Sequence, residues 1–410
     1  MLAVGSLALG GRAPRAVSRP AAAPGVSVTP AHVALVERRV EQLRGLRFLH
    51  PVPVAIVSPA QARRDGLADY DTSKAVEQQR ASEELLMVLG LLPPGSSLRR
   101  IESAVYGEQV AGYYDPRRKR LALVRGAGVD DVTLAHELTH ALEDQHFDLQ
   151  RLEGGGGDDA STAQQALVEG SATLVMERYA ARWPSETPVG DALAGLTQVT
   201  AGTPLPQYTM RELIFPYLQG ESFVQALRDA DGGGWALVGV AEAKRPPRTT
   251  AEILQPQRWL RAQQPQPVAL ARSAGAGWRL LTGSTLGEED LAALLSPQSG
   301  PLAARELTAG WRGGRYALWR RGALADPSFA APCRARDALQ LAVVVHSSTS
   351  ARALAAALTV WLSQGLHARP PAGGALWRLP GGSFGAVRAN GPRVRVALAP
   401  DAVLARRLVS

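Results

Sequence analysis

The sequence predicts an α+β protein of two lobes, on three observations. Helical and strand-like apolar patterns are mixed in both halves of the chain. Its 410 residues exceed the size at which single cores usually stop growing, and 46% hydrophobic residues are ample to bury two. A Pro- and Gln-rich stretch from Gln255 to Pro267, followed by Ser273-Ala274-Gly275-Ala276-Gly277, has the composition of a linker. The expected division is a disordered or signal-like start at 1–30, a first domain at 31–260, a linker at 261–276 and a smaller C-terminal domain of unassigned role at 277–410, α+β by its mixed order of elements or else α/β.

Periodicity places a helix at about 33–46, a strand at 52–57, and helices near 74–91 and 98–105. Two strand-like runs, 109–114 and 120–124, flank Asp115-Pro116-Arg117-Arg118, a good turn sequence, so a hairpin is expected whose free edge can receive an extended peptide. Two further helices follow, around 130–144 and 164–177, joined by the glycine-rich stretch 153–159. The second lobe is expected to hold strands at 278–281, 315–319 and 339–345, helices near 287–295, 300–309 and 351–364, and a final hairpin between Phe384 and Leu398 turning at Asn390-Gly391.

The most informative residues are His136-Glu137-Leu138-Thr139-His140. On a helix, positions i and i+4 share a face, so both imidazoles can present a ring nitrogen to one tetrahedral ion. Glu137, rotated about 100° from His136, can reach a water on that ion. This is the H-E-x-x-H arrangement of zinc-dependent hydrolases. With seven histidines in the chain, chance produces it in roughly one such composition in a hundred. The flanking sequence supports a helix: Asp130 and Asp131 open it, Leu134, Leu138, Ala141 and Leu142 form an apolar stripe, and neither Gly nor Pro interrupts.

Two residues compete as third ligand. His146 follows His140 by six, the metzincin spacing, but the slot that holds a helix-breaking glycine in H-E-x-x-H-x-x-G-x-x-H is Glu143 here. If the helix continues, His146 points about 80° away from the metal face. Glu169 is an isolated acid among Ala166, Leu167, Leu174 and Val175, expensive to bury unless paired or bound to a metal. The small residues Gly170, Ser171 and Ala172 would let its helix come close to the first.

Glu169-Gly170-Ser171-Ala172 after the H-E-x-x-H motif resembles the gluzincin arrangement, in which a glutamate on a following helix completes a zinc site. Segments 108–116, 140–149, 215–217 and 246–250 are similar to a group of poorly characterised bacterial metallopeptidases, over roughly residues 40 to 260. Gln255 and Gly314 depart from that group, which has histidine and aspartate there. The resemblance implies a zincin-like metallopeptidase domain, a peptide or protein substrate, and an exported (periplasmic or extracellular) protein.

The expected ligand set, His136, His140 and Glu169 on Zn2+, leaves a fourth position for water, with Glu137 as general base. Tyr113, Tyr179, Tyr217 and His146 are candidate donors to the developing oxyanion. A zincin-shaped scaffold without turnover, or an amidase acting on small molecules, would share the motif. The net charge of +8 does not imply nucleic acid: only three of the 45 basic residues are lysines, and arginine is spread along the chain. Cys333 alone cannot build a closed zinc site or an internal disulfide. No apolar run is long enough to span a membrane, and Met1–Gly10 is a short apolar start without a positive region before it.

Overall fold

The computed structural model describes residues 28–67, 73–101, 103, 111–152, 157–184, 206–322, 332–370 and 376–410. The signal-like start to residue 27, the opening of the expected hairpin at 109–110, the end of the expected helix at 98–105 and glycines 154–156 lie outside the described residues.

Helix α1 (Pro30–Arg44) starts under Thr29, whose side chain accepts the His32 N–H, and stops at Gly45 in the left-handed conformation. Strand β1 (Val54–Val57), helix α2 (Pro59–Leu67) and helix α3 (Ser73–Val88) follow, then the hairpin β2 (Gly112–Asp115) and β3 (Arg120–Val124). β3 is central in this small sheet, parallel to β1 and antiparallel to β2, which leaves β2 as an edge. Helices α4 (Asp131–Phe147), α5 (Asp158–Arg182) and α6 (Gln207–Ala230) form the body of the lobe, closed by α7 (Ala236–Ala243), α8 (Thr250–Leu254) and α9 (Pro256–Leu260).

The second lobe is a six-stranded sheet in the order β4-β5-β6-β9-β8-β7, built from β4 (Trp278–Thr285), β5 (Trp311–Arg321), β6 (Asp337–Val345), β7 (Leu376–Arg378), β8 (Phe384–Asn390) and β9 (Arg393–Ala399). Helices α10 (Glu288–Ser299), α11 (Pro301–Thr308) and α12 (Ser348–Val360) pack on one face and α13 (Ala402–Val409) on the other. Every strand pair described in this sheet is antiparallel, so of the two orders expected the domain is α+β and not α/β. The run of β6 is buried throughout because helices cover both faces of the sheet.

Residues 261–276 contain no helix or strand, yet the lobes share a core. Leu85, Val88 and Leu89, at the end of α3 and just beyond it, pack with Leu291, Leu295, Leu339, Leu354 and Trp361 of the sheet domain. The Trp361 indole donates to the Leu89 carbonyl at 3.1 Å, and Arg320 pairs with Glu84 at 3.0 Å.

Helices α5 and α6 cross with no side chain between them. A Cβ on Gly220 would stand 1.9 Å from the Ala166 carbonyl oxygen, and one on Gly170 would stand 2.1 Å from the Gly220 carbonyl carbon. Gly170 therefore admits α6, not the histidine helix as its sequence neighbourhood suggests. Gly220→Ala is expected to cost about 3 kcal/mol or more by overpacking against backbone, measured by urea denaturation. A change within about 0.5 kcal/mol would contradict the close crossing.

Where the lobes meet, Asp159 and Glu288 are buried among Asp158, Glu212, Glu252, Glu289, Asp290, Tyr208 and Tyr316, with Arg211, Arg248 and Arg258 as cations near this cluster. Burial pushes the Asp159 carboxyl up to about 6 and the Glu288 carboxyl up to about 7, and raises Glu212 and Asp290 as well. Each of these groups keeps a proton in the folded protein that an unfolded carboxyl gives up near pH 4. Between about pH 4 and 7 the folded state therefore binds more protons than the unfolded one, and stability falls as pH rises through that window. The melting temperature is expected to drop by several degrees from pH 5 to pH 7.5; a rise over that range would contradict the assignment.

Candidate metal centre

Helix α4 starts where Asp130 accepts the Thr133 N–H at 2.7 Å and runs unbroken to Phe147. It is apolar or internally paired on almost every side: Val132, Leu134, Ala135, Leu138, Ala141 and Leu142 are buried, as are His136 and His140. The two Nε2 atoms face each other at 3.1 Å. Oε2 of Glu169, reaching in from α5, lies 3.3 Å from His136 Nε2 and 3.5 Å from His140 Nε2. Ligand atoms at about 2.0–2.1 Å from a tetrahedral ion stand roughly 3.3–3.4 Å apart, so the three atoms span one face of such a coordination shell. Among the described residues, these three form the group of His, Cys, Asp or Glu side chains close enough to hold an ion.

The donor set fits a divalent cation on a second count. Among the described residues Glu169 Oε2 is buried with no donor at ordinary hydrogen-bond geometry, facing only the two ring nitrogens, although a buried acceptor left unpaired is costly. Burial works to raise the Glu169 carboxyl, but the His140 and His136 rings outweigh it and hold the carboxyl well below the usual carboxylate range. Burial likewise works to lower His140, and the Glu169 charge outweighs it and lifts the ring to about 9. Neither Nδ1 atom has a protein partner among the described residues, so packing aims the rings. His136 lies nearly parallel to the Tyr217 ring at 6.1 Å and edge-on to His140 at 4.7 Å.

Glu137 is fixed by the hairpin. Its Oε2 accepts the Tyr114 backbone N–H at 2.7 Å from the outer side of β2. Burial raises its carboxyl, opposed by His136, His140 and the Tyr114 N–H. The hairpin is in turn bound to α4 through the buried Asp144, which accepts from the Tyr114 hydroxyl at 2.6 Å, from Lys119 Nζ at 2.8 Å and from the Leu149 N–H at 2.9 Å. A cleft of about 390 Å³ opens beside the tripod, lined by His140, Glu169, Tyr114, Leu149, Leu152, Ser161, Gln164 and Val168.

The other residues singled out in the sequence fall in different places. His146 points away, its Nε2 against the Arg47 carbonyl oxygen at 2.8 Å, because the helix continues through Glu143. Glu143 is completely buried against Arg44 Nε at 2.5 Å and the Ser171 hydroxyl, while Arg44 Nη2 meets the equally buried Glu242 at 2.6 Å. Burial and the neighbouring Glu143 push the Glu242 carboxyl well up, while both acids pair with the one arginine. Tyr113 donates to Asp65 at 2.7 Å, and Tyr179 bonds Arg39 and Asp131, so neither reaches the tripod. Of the four candidate oxyanion donors, Tyr217 is beside it. Gln255 and Gly314 belong to the junction between lobes: Gln255 Nε2 donates to Glu288 at 2.8 Å, and a Cβ on Gly314 would meet the Leu286 carbonyl oxygen at 2.3 Å, leaving no room for an aspartate.

Sequence reasoning missed the 24-residue helix α6, which brings Tyr217, because Pro216 and Gly220 interrupt its pattern. It also missed Arg44, Asp144 and Glu242. A buried helix carrying Glu143-Asp144 demands cationic or donor partners, which was the available signal.

Residues 275–408 match a family model described as a domain of unknown function (DUF8575). That match covers the sheet domain and ends short of the tripod on the N-terminal side. No curated protein and no solved structure matches the chain.

Arg44→Ala is expected to destabilise the protein by about 3–5 kcal/mol, because it strands two buried carboxyls. Replacing Arg44, Glu143 and Glu242 together by Met, Leu and Leu should recover most of that loss in urea denaturation. A triple variant less stable than Arg44→Ala would show that the cluster contributes more than it costs.

Proposed function

We propose that the protein is a zinc-dependent metallopeptidase with a zincin-like first domain, in which His136, His140 and Glu169 hold Zn2+. The observation that carries this reading is the triangle of Nε2, Nε2 and Oε2 at 3.1–3.5 Å, with Glu137 beside it. Two imidazoles and one carboxylate leave a coordination position open, as hydrolytic sites require. Zinc held there supplies Lewis acidity, acidifying water and polarising a carbonyl oxygen.

The chain's own residues do the rest. Glu137, with Oε2 anchored on the Tyr114 N–H, takes the proton of the attacking water at Oε1 and passes it to the leaving amine. Tyr217, whose ring lies 6.1 Å from that of His136, is the residue we assign as donor to the developing oxyanion. A peptide fits because β2 is an edge strand. Ala111 O accepts from Val124 N across the hairpin, so by alternation Gly112 turns its N–H and carbonyl outward, as Tyr114 does its carbonyl, toward an extended chain. No helix among the described residues is long and apolar enough to cross a membrane.

The test is zinc stoichiometry of the purified protein with cleavage of an unfolded protein substrate, comparing wild type with Glu137→Gln and Glu169→Ala. Glu137→Gln is expected to keep zinc and lose activity by roughly 10²- to 10⁴-fold, and Glu169→Ala to lose zinc. Removing the metal by chelation should lower the melting temperature of the wild type and leave that of Glu169→Ala unchanged. Cleavage that survives Glu137→Gln overturns the assignment, and zinc bound without cleavage by either protein favours a binding scaffold.

A further inference from the structure

We propose that the C-terminal sheet domain acts as a clamp on the helix that carries Glu169: it caps α5 from outside and so positions the third ligand and one wall of the cleft. Helix α5 starts at Gly157, with φ 93° and ψ 176°, and has no side-chain cap of its own. Four glycines, 154 to 157, precede the helix in sequence, and none has a side chain with which to provide one. The first amides are satisfied from the other lobe. Asp158 N–H donates to Ser284 Oγ at 3.1 Å and Asp159 N–H to Thr285 Oγ1 at 3.1 Å, both hydroxyls at the end of β4. These are the contacts that an N-cap serine or threonine makes within its own helix, here supplied by residues 126 positions away. Gly157 permits the approach, since a Cβ on it would lie 3.0 Å from Ser284 Oγ and 3.1 Å from Thr285 Oγ1, and its φ is one that L side chains rarely adopt.

The side chains of the same two residues are held as well. The Tyr316 hydroxyl of β5 donates to Asp158 Oδ2 at 2.5 Å. Asp159 Oδ1 accepts from the Thr250 N–H at 2.8 Å and from its hydroxyl at 2.6 Å, and that hydroxyl accepts the Glu289 N–H of α10 at 3.1 Å. Gly287 lies against Asp159 so closely that a Cβ would stand 2.1 Å from Oδ1.

What the clamp controls follows from the order of residues along α5. After the capped Asp158 and Asp159 come Ser161, Gln164 and Gln165, which line the cleft, then Ala166, where Gly220 of α6 begins its close crossing, and then Val168 and Glu169, which also line the cleft, before Gly170. The cleft wall is therefore the first part of the helix, held at its start by the sheet domain and from Ala166 onward by α6. Ser284, Thr285 and Tyr316 all fall inside the segment matched by the family model, so this assigns that domain a positioning role in this chain. Loss of one N-cap shifts a local helix equilibrium by roughly 2- to 30-fold.

The metal arm of the test rests on the zinc reading above; the exchange arm does not. Full-length wild type, Ser284→Ala/Thr285→Ala, Ser284→Thr/Thr285→Ser and Tyr316→Phe are compared by amide hydrogen exchange, by zinc affinity in chelator competition and by the visible spectrum of the cobalt(II)-substituted protein. The double alanine variant is expected to exchange about tenfold faster over 158–169 with 170–182 unchanged. It should also weaken zinc binding by about tenfold and alter the cobalt spectrum. The hydroxyl-retaining double variant restores all three. Tyr316→Phe, which removes one hydroxyl, should show the same pattern more weakly and carries the test if the double alanine variant does not fold. Wild-type exchange over 158–169 in the alanine and phenylalanine variants overturns the clamp. If the wild type binds no zinc, the metal reading fails and the exchange result alone decides the clamp. Faster exchange with unchanged zinc affinity and spectrum overturns its hold on the third ligand.

Discussion

Helix α4 is buried on almost every side, so each polar group it carries must find a partner inside the protein, and the first lobe is arranged around those partners. Asp131 receives His32 at 2.7 Å, Glu143 draws in Arg44, and Asp144 collects Tyr114, Lys119 and the Leu149 amide. Gln145 accepts from the backbone of Leu49 at 2.7 Å. Every one of these contacts ties a separate segment to the same rod. The two histidines and Glu137 follow the same rule, the first pair facing Glu169 and the last facing the edge of β2. A rigid, fully committed helix is also what a metal site needs if ligand positions are to hold to a fraction of an ångström.

What could be read from the chain was local. His136, Glu137 and His140 declare themselves because their relation depends on helical periodicity alone, and Glu169 does so because an isolated acid in an apolar helix needs a reason. The structure places ligand atoms of His136, His140 and Glu169 within 4.8 Å of one another. Contacts between distant segments were hidden: nothing in the sequence around Arg44 names Glu143 and Glu242, 99 and 198 positions away. Helix α6 was hidden by Pro216 and Gly220, which break a pattern in one dimension but serve packing in three. The strand order of the second lobe was not legible, because a strand covered by helices on both faces has the same composition whether its neighbours run parallel or antiparallel.

The division into two lobes holds for the chain better than for the packing. Helix α3 precedes the tripod in sequence, yet its last turn is part of the sheet domain's core. Buried acids crowd the junction, with Arg211 on Glu289 and Gln255 on Glu288 offsetting part of their charge. A boundary with that many desolvated carboxyls behaves as an interior, and the lobes are expected to unfold together.

The crossing at Gly170 and Gly220 also bears on how far the site can be adjusted. Glu169 precedes one glycine and Tyr217 stands three residues before the other. Main chain rests on main chain there, so no rotamer change can absorb a displacement, and atomic radii set the gap between the two rods. A shift of the tyrosine's helix therefore carries with it the stretch of main chain that bears the carboxylate, and the two rods act as a single mechanical part.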